Sequence, residues 1–366
     1  MITDSIQNLV VSATPIYYWT QAQQYENNSS KLNKIANDFI KTQLSNNDIY
    51  NNRVGRYALL IHQIVSNNSK LKGLSDKLFR ITQNKLKSNP IMQADADTLS
   101  GKTLEKRSWY RYLYAYCNYT LAKEVLKTDD KKDADKYFLN AYEFSPDRYD
   151  RTNYSSYFYD MFFLLEEEKN TFQMDYINYL KNQSSNREDI LNRLLSLSLT
   201  DPTFKKELKA YYTDNFPQTE TFSAFWQRNI NKGLKAAPTF AIQKMNGENF
   251  VIKEKKGQWV LLDFWGTWCA PCRAEHPDLQ KLYADISKTK RNLEILTIAC
   301  KDDSKKVNDY MKEKSFNFPV AMSDNKIEEM YPVNGYPSKF LITPEGNFLT
   351  IPFGIDWVAF IKSYTE

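Results

Sequence analysis

The chain has 366 residues, enough for two or three domains with sizeable cores. Its 49 Lys and Arg against 44 Asp and Glu give a formal charge of +5, and these charges are interspersed rather than gathered into a stripe, which argues against a nucleic-acid partner. No run approaches about 20 uninterrupted apolar residues, so no transmembrane segment is expected.

In chain order, Met1-Ile-Thr-Asp-Ser-Ile6 has neither a basic n-region nor an apolar h-region, so no signal peptide is read there. Gly and Pro are scarce through residue 235, and amphipathic helical runs dominate. Val54–Val65 is one. Trp109, Tyr112, Leu113 and Tyr116 form a stripe on a second. Tyr154, Tyr157, Phe158, Met161, Phe162 and Leu165 recur at helical spacing on a third, and Ile190–Leu199 reads likewise. Ala122, Ala134, Phe138, Ala141 and Pro146 fall at the small, aromatic and proline positions of a tetratricopeptide repeat, but neighbouring stretches do not continue its 34-residue period. The expectation is an all-helical domain of helical hairpins over 1–235. Its aromatics are read as helix–helix filling, with a concave Tyr-lined binding surface as the alternative. Gln21–Asn28, Ser45–Asn52 and Asn182–Asn186 read as interhelical loops. Lys70–Lys77 and Asp129–Lys136 read as solvated faces.

Near Asn231–Ala237, Gly233 and Ala236-Ala-Pro238 interrupt the helical pattern, and a second domain is expected over 236–366. Gln258–Trp265 is a β-rich apolar strand. It leads into Phe264-Trp-Gly-Thr-Trp-Cys-Ala-Pro-Cys272 and then a helix over Arg273–Lys288, with Leu279, Leu282, Tyr283 and Ile286 on one face. Cys269 is therefore expected at a helix N-cap, where free N–H groups and the positive dipole end favour a thiolate. Cys272, one turn in and less exposed, suits the resolving role. The pair is also half of a zinc site by spacing. No second Cys/His pair completes one, since the histidines are His62 and His276, so a redox pair is preferred and no metal is expected. Pro319–Ala321, Ser338–Thr343 and Asn347–Pro352 read as short strands, the last two joined at Pro344-Glu345-Gly346.

Ala237-Pro-Thr-Phe240, Asp263-Phe-Trp-Gly-Thr-Trp268, Cys269-Ala-Pro-Cys-Arg-Ala-Glu275 with Pro277, and Gly335-Tyr-Pro337 together resemble the thioredoxin superfamily, within it the TlpA/ResA-like thiol-disulfide oxidoreductases. The resemblance covers about the last third of the chain. It implies a thioredoxin-like α/β domain with a central mixed sheet flanked by helices, following the helical domain. It implies that Pro337 is the cis-proline beside the active-site disulfide, with Ser338 where many relatives have Thr. Asp263 matches the buried acid of thioredoxins, placed to take the Cys272 proton through water. Glu275 matches the acid of ResA-like proteins, although an exposed first-turn acid is an equal reading. Two carboxylates near one thiol pair push each other's pKa upward, so one is expected to hold a proton near neutrality. Candidate catalytic residues are thus Cys269, Cys272, Asp263, Glu275 and Pro337, and candidate substrate contacts are Trp268, Tyr336 and Pro337.

The expected function is reduction of client protein disulfides by exchange through Cys269 and Cys272, without a cofactor, recharged by a redox donor, with the helical domain recruiting a partner. Thiol oxidation or disulfide isomerisation on the same site is the alternative within enzymes. A partner-binding module with a regulatory thioredoxin fold is the alternative outside them. The resemblance also implies a periplasmic or cell-envelope location. Cys300, at the end of the strand Leu293–Cys300, is expected to be a buried structural thiol, Cys117 carries no expected chemistry, and His276 is expected at the surface.

Overall fold

Seven consecutive apolar or aromatic positions broken only by Asp263 suit a strand covered on both faces, and Trp259–Trp265 (β4) is buried throughout. In the computed structural model, which describes residues 2–46, 48–128, 132–147, 150, 156–166, 170–183, 185–217 and 220–365, β4 lies inside a six-stranded mixed sheet. The strands are β1 (Lys235–Ala236), β4, β5 (Leu293–Ala299), β6 (Val320–Met322), β7 (Ser338–Ile342) and β8 (Asn347–Ile351), in the order β1-β8-β7-β4-β5-β6. β4, β5 and β6 run parallel, whereas β7 pairs antiparallel with β4 and with β8. A separate hairpin pairs β2 (Ala241–Gln243) with β3 (Asn249–Val251).

Alternation along β4 divides its side chains between two covered faces. Val260, Leu262 and Phe264 join Leu296, Ile298, Phe340 and Ile342 in one apolar core. Trp259, Leu261, Asp263 and Trp265 face the other way. The helices of this region are α12 (Ala270–Thr289), α13 (Ser304–Glu313), α14 (Ile327–Met330) and α15 (Trp357–Thr365). The expected thioredoxin-like domain with a mixed sheet is what the chain forms.

Compactness divides the chain at 186/187 rather than near Asn231–Ala237. The expected position marks the change from helix to strand. Three helices before it nevertheless belong to the second unit: α9 (Arg187–Thr200), α10 (Lys205–Asn215) and α11 (Phe222–Ile230). Tyr364 Oη donates to Leu199 O at 2.7 Å, Lys205 Nζ donates to Ser363 O at 3.0 Å, and the Trp226 and Tyr364 rings meet at 5.9 Å. Asn231 Oδ1 accepts from Thr343 Oγ1 and Asn347 Nδ2 at the β7–β8 turn.

The first unit contains α1 (Ile2–Gln24), α2 (Ser29–Thr42), α3 (Val54–Ser66), α4 (Lys72–Lys87), α5 (Gly101–Val125), α6 (Ala134–Phe144), α7 (Phe158–Leu164) and α8 (Phe172–Asn182). α5 is central: Trp109 through Cys117 are buried in succession, so the expected stripe is one side of a helix covered all round. Ala122, Ala134, Phe138 and Ala141 are buried where α5 meets α6, as a helical hairpin requires.

The expected apolar face around Tyr157 is corrected. Tyr157 is in the core and Met161 and Leu165 pack against it as expected, whereas Phe158 and Phe162 are more than a third exposed and Asp160 and Leu164 point inward; Tyr154 lies outside the described residues, as do 129–131 of the expected charged face. Asp160 turns the helix. It is fully buried and accepts from Arg56 Nε at 2.9 Å, Arg56 Nη2 at 2.7 Å and Trp109 Nε1 at 2.9 Å, tying α3, α5 and α7 together. A second buried cluster joins Arg107 and Arg111 on α5 to Asp150 at 2.5 and 2.9 Å.

Replacing Asp160 by Ala should cost about 3–5 kcal/mol, because it strands a guanidinium and an indole N–H in the core. Denaturant unfolding of the full chain measures this, and a loss below about 1 kcal/mol would mean that Arg56 reaches water instead.

Candidate active site

β4 delivers the chain to its C-terminal edge, where Gly266-Thr-Trp268 turns it into α12. Asp302, just after β5, braces that turn: Thr267 N and Oγ1 donate to its two carboxylate oxygens, the second at 2.9 Å. Gly266 leaves room at the bend for the Trp268 indole, which a side chain there would push aside. Cys269 is the N-cap of α12 in extended conformation, and Pro271 sits in the first turn, where its missing N–H costs nothing. Cys269 and Cys272 are joined by a disulfide, and Cys269 Sγ accepts from Cys272 N at 3.2 Å. An amide aimed at Sγ at the positive end of a helix stabilises a thiolate there. The two cysteines differ little in exposure, 4% against 1%, so both are sheltered in the oxidised chain.

The surroundings are asymmetric. Trp268 is 51% exposed; its Nε1 donates to Cys300 O at 3.2 Å and its ring meets that of Tyr336 edge-on at 5.2 Å. The Tyr336–Pro337 bond is cis, and Ser338 after it pairs with Phe264 of β4. Trp268, Tyr336 and Pro337 are thereby brought beside the disulfide turn. A cleft of about 350 Å³ opens next to Trp268, walled by Thr267, Lys301, Asp302, Ser323 and Asn325.

Beneath, the sheet carries charge. Asp263 on β4 stands directly across from Lys339 on β7, and α12 brings Glu275 to the same ammonium. Lys339 Nζ donates to Glu275 Oε2 and lies 3.2 Å from Asp263 Oδ1. Asp263 and Lys339 are both buried, while the Glu275 side chain is 28% exposed, so Glu275 is neither fully buried nor a free surface acid. Burial pushes the Asp263 carboxyl up to about 6; Lys339 opposes the shift and Glu275 adds to it. Burial works against the charge of Lys339, but its two carboxylates outweigh this and hold its pKa above the ordinary lysine value. Neighbouring His276 is fully buried, which corrects the expected surface position. Its ring packs on Trp265 at 4.4 Å and its Nδ1 meets Tyr310 Oη at 2.9 Å. Burial, and secondarily Lys339, push it down to about 4, so it is neutral at pH 7.

The AhpC/TSA family matches residues 234–349. Thiol-disulfide oxidoreductase ResA of Bacillus subtilis (strain 168) is 33% identical over 139 residues, 38% of this chain and 76% of ResA. A ResA of Bacillus cereus is 34% identical over 133 residues, 36% of this chain and 76% of that protein. The chain belongs to the ResA-like thiol-disulfide oxidoreductases. A thiol:disulfide interchange protein of the thioredoxin family from Chlorobium tepidum TLS aligns at 25% identity and TM-score 0.32, covering 36% of this chain and 94% of that one.

Within this ResA-like domain the other thiol is inert by position: Cys300 is buried and its pKa is pushed up to about 12. Cys117, in the helical unit, is buried and raised too, and neither is in a disulfide. Lys339 and Asp302 escaped the sequence reading. Asp302 had a usable signal, an acidic pair immediately after a strand parallel to β4. Lys339 had none, since a lysine between Ser338 and Phe340 reads as outward-facing.

Asp263 and His276 give the domain opposed pH responses. Asp263 binds its proton more firmly when folded than the ordinary 3.8, so its favourable contribution is full below about pH 4 and declines as pH rises through about 6. His276 sits below the ordinary 6.5, so its contribution is full above that pH and is lost as pH falls through about 4. Relative to the parent chain, Asp263→Asn should gain up to about 3 kcal/mol between pH 4 and pH 8, and His276→Gln should lose the acid-side destabilisation. Urea unfolding of the oxidised chain across that range measures both; differences that do not vary with pH would contradict the buried carboxyl and imidazole.

Proposed function

We propose that this enzyme reduces disulfides of client proteins through Cys269 and Cys272. The observation that carries the reading is a bonded Cys-Ala-Pro-Cys pair at a helix N-terminus, next to an exposed Trp268 whose ring meets that of Tyr336 before the cis Tyr336–Pro337 bond. In the reduced chain the Cys269 thiolate attacks one sulfur of a client disulfide. An S–S bond forms between Cys269 and the client, the client disulfide breaks, and the leaving sulfur departs as thiolate and takes a proton from solvent. Cys272 then gives its proton towards Asp263 and attacks Cys269 Sγ. The Cys269–Cys272 disulfide forms, the mixed disulfide breaks, and the second client thiol leaves with the electron pair. Two electrons pass from the dithiol to the client, and an external dithiol reductant must return them.

Pro337, Tyr336 and Trp268 are assigned to the client. The exposed indole and the backbone before β7 form the rim that a client strand approaches, and the polar cleft beyond Trp268 takes its flanking side chains. Glu275 is assigned a supporting electrostatic role through Lys339. No bound cofactor enters these steps beyond the two sulfurs. The helical unit is assigned the recruitment of a partner, on the ground that residues 1–186 form a compact unit separate from the one that carries the cysteine pair. A cell-envelope location follows the family and fits a substrate class of disulfides, which persist in oxidising compartments. No helix among the described residues is long and apolar enough to cross a membrane.

Oxidation of client thiols by the reverse steps is chemically equivalent, and the potential of the couple decides between them: near −270 mV or below for a reductant, near −120 mV for an oxidant. Cys269→Ala should abolish dithiothreitol-driven reduction of a protein disulfide, and Cys272→Ser should accumulate mixed disulfides through Cys269. Turnover that survives in Cys269→Ala would overturn the assignment.

A further inference from the structure

We infer that α1 carries a dimerisation seam: its outward apolar stripe packs on the same stripe of a second copy of this chain. The inference goes beyond the redox function and does not depend on it.

α1 (Ile2–Gln24) divides into two halves. The later half is anchored, with Ala22 in the core of the helical unit and Tyr18 and Trp19 packed against it. Residues 9–13, by contrast, are exposed in succession, with Leu9 at 69%, Val10 at 62% and Val11 at 55%. Ile16 and Tyr17 face solvent too, at 41% and 58%. On its own such a segment is a marginal helix, because it is short and Val10, Val11, Ser12 and Thr14 are weak helix formers. A partner packed along one side supplies what propensity does not.

Spacing identifies that side. Leu9, Ala13, Ile16 and Thr20 recur at intervals of four, three and four, the a/d seam of a coiled coil, and all four are exposed. In the sequence the same spacing continues back through Ile6 and Ile2. Val10 and Tyr17 flank the seam. Val11 lies on the far side of the helix, in line with Tyr18, which packs on the core. Two seams laid antiparallel about a dyad near residue 11 set Leu9 of each copy against Ala13 of the other. Large meets small, so the surface is complementary to itself.

Charge selects the occupant. Residues 5–25 hold no Asp, Glu, Lys or Arg, in a chain where 25% of residues are charged. A helix that lies on a bilayer carries Lys or Arg on its polar face, and one that meets a charged partner carries the complement. α1 does neither over this stretch, and it is not apolar enough to cross a membrane. A second α1 covers an uncharged seam without desolvating any charge. Leu9, Val10, Ile16 and Tyr17 leave roughly 400 Å² of surface in water. With Ala13 and Thr20 added, a pair buries about 1,000 Å², the lower bound for a specific interface. The dimer is accordingly weak, with a Kd on the order of 10 µM.

Sedimentation velocity of the oxidised full chain over about 1–200 µM tests this, and a shift from monomer to dimer is expected. Leu9→Glu and Ile16→Glu each put a charge in the seam and should weaken the dimer at least about tenfold. Both positions are exposed, so neither substitution touches the core. Val11→Lys is comparably exposed but lies off the seam, and should change the Kd less than about threefold. A chain that stays monomeric to about 200 µM overturns the inference. So does a Val11→Lys chain that dissociates as readily as Leu9→Glu, which would mean indiscriminate stickiness. Binding of the monomer to neutral phosphatidylcholine vesicles, lost in Leu9→Glu, would overturn it as well by giving the seam to lipid.

Discussion

Water is excluded from both faces of β4, and most of what is distinctive in this site follows from that. A strand buried on both sides normally carries only apolar residues. Here one position is Asp263, and the cross-strand and helix neighbours at that level are Lys339 and Glu275. Desolvation makes each charge dependent on the others. It also brings a carboxyl into the range where it can exchange a proton near neutrality, which an exposed aspartate does poorly. The same exclusion of water that stabilises the sheet therefore lifts the Asp263 carboxyl to about 6, at some cost in stability above that pH.

The parts legible in the sequence are those dictated locally. Trp-Cys-Ala-Pro-Cys at a strand-to-helix junction needs only neighbouring residues to put Cys269 at an N-cap, and β4, α12 and β7 follow from their own patterns. What was illegible depended on pairing. Lys339 alternates with Ser338 and Phe340 as an outward residue would, and only the covering of that face by α12 and α15 buries it. His276 follows an acid in a helix's first turns and reads as solvated, yet Trp265, Tyr310, Phe316 and Phe318 enclose it.

The helical unit shows the same limit. Of the stripe that periodicity picked out, Tyr157, Met161 and Leu165 meet the core but Phe158 and Phe162 do not, because α7 is oriented by a charge, Asp160, that must meet Arg56 and Trp109. A buried carboxylate with three donors outranks two or three aromatic contacts, because stranding it costs several kcal/mol, whereas a half-exposed Phe loses only part of its transfer energy. The division between compact units likewise follows packing. Helices 187–230 share a core with α15 and the β7–β8 turn, although their composition matches the helices before them.

Burial alone does not select the redox pair, since all four cysteines are buried. Burial holds the proton on the sulfurs of Cys117 and Cys300, with Cys300 raised to about 12 by burial first and the Glu328 charge second. Cys269 has comparably little exposed surface, but its sulfur faces the Cys272 amide and the open end of α12. An oriented dipole can offset desolvation where bulk burial cannot, so the N-cap position rather than accessibility separates a reactive thiol from an inert one in this fold. Asp263 makes the complementary case: a group with no such dipole at hand, moved by burial toward its neutral form. The amide aimed at Cys269 Sγ and the desolvated Asp263 carboxyl thus show two opposed effects of a fold on a titratable group, an oriented dipole in one case and burial in the other.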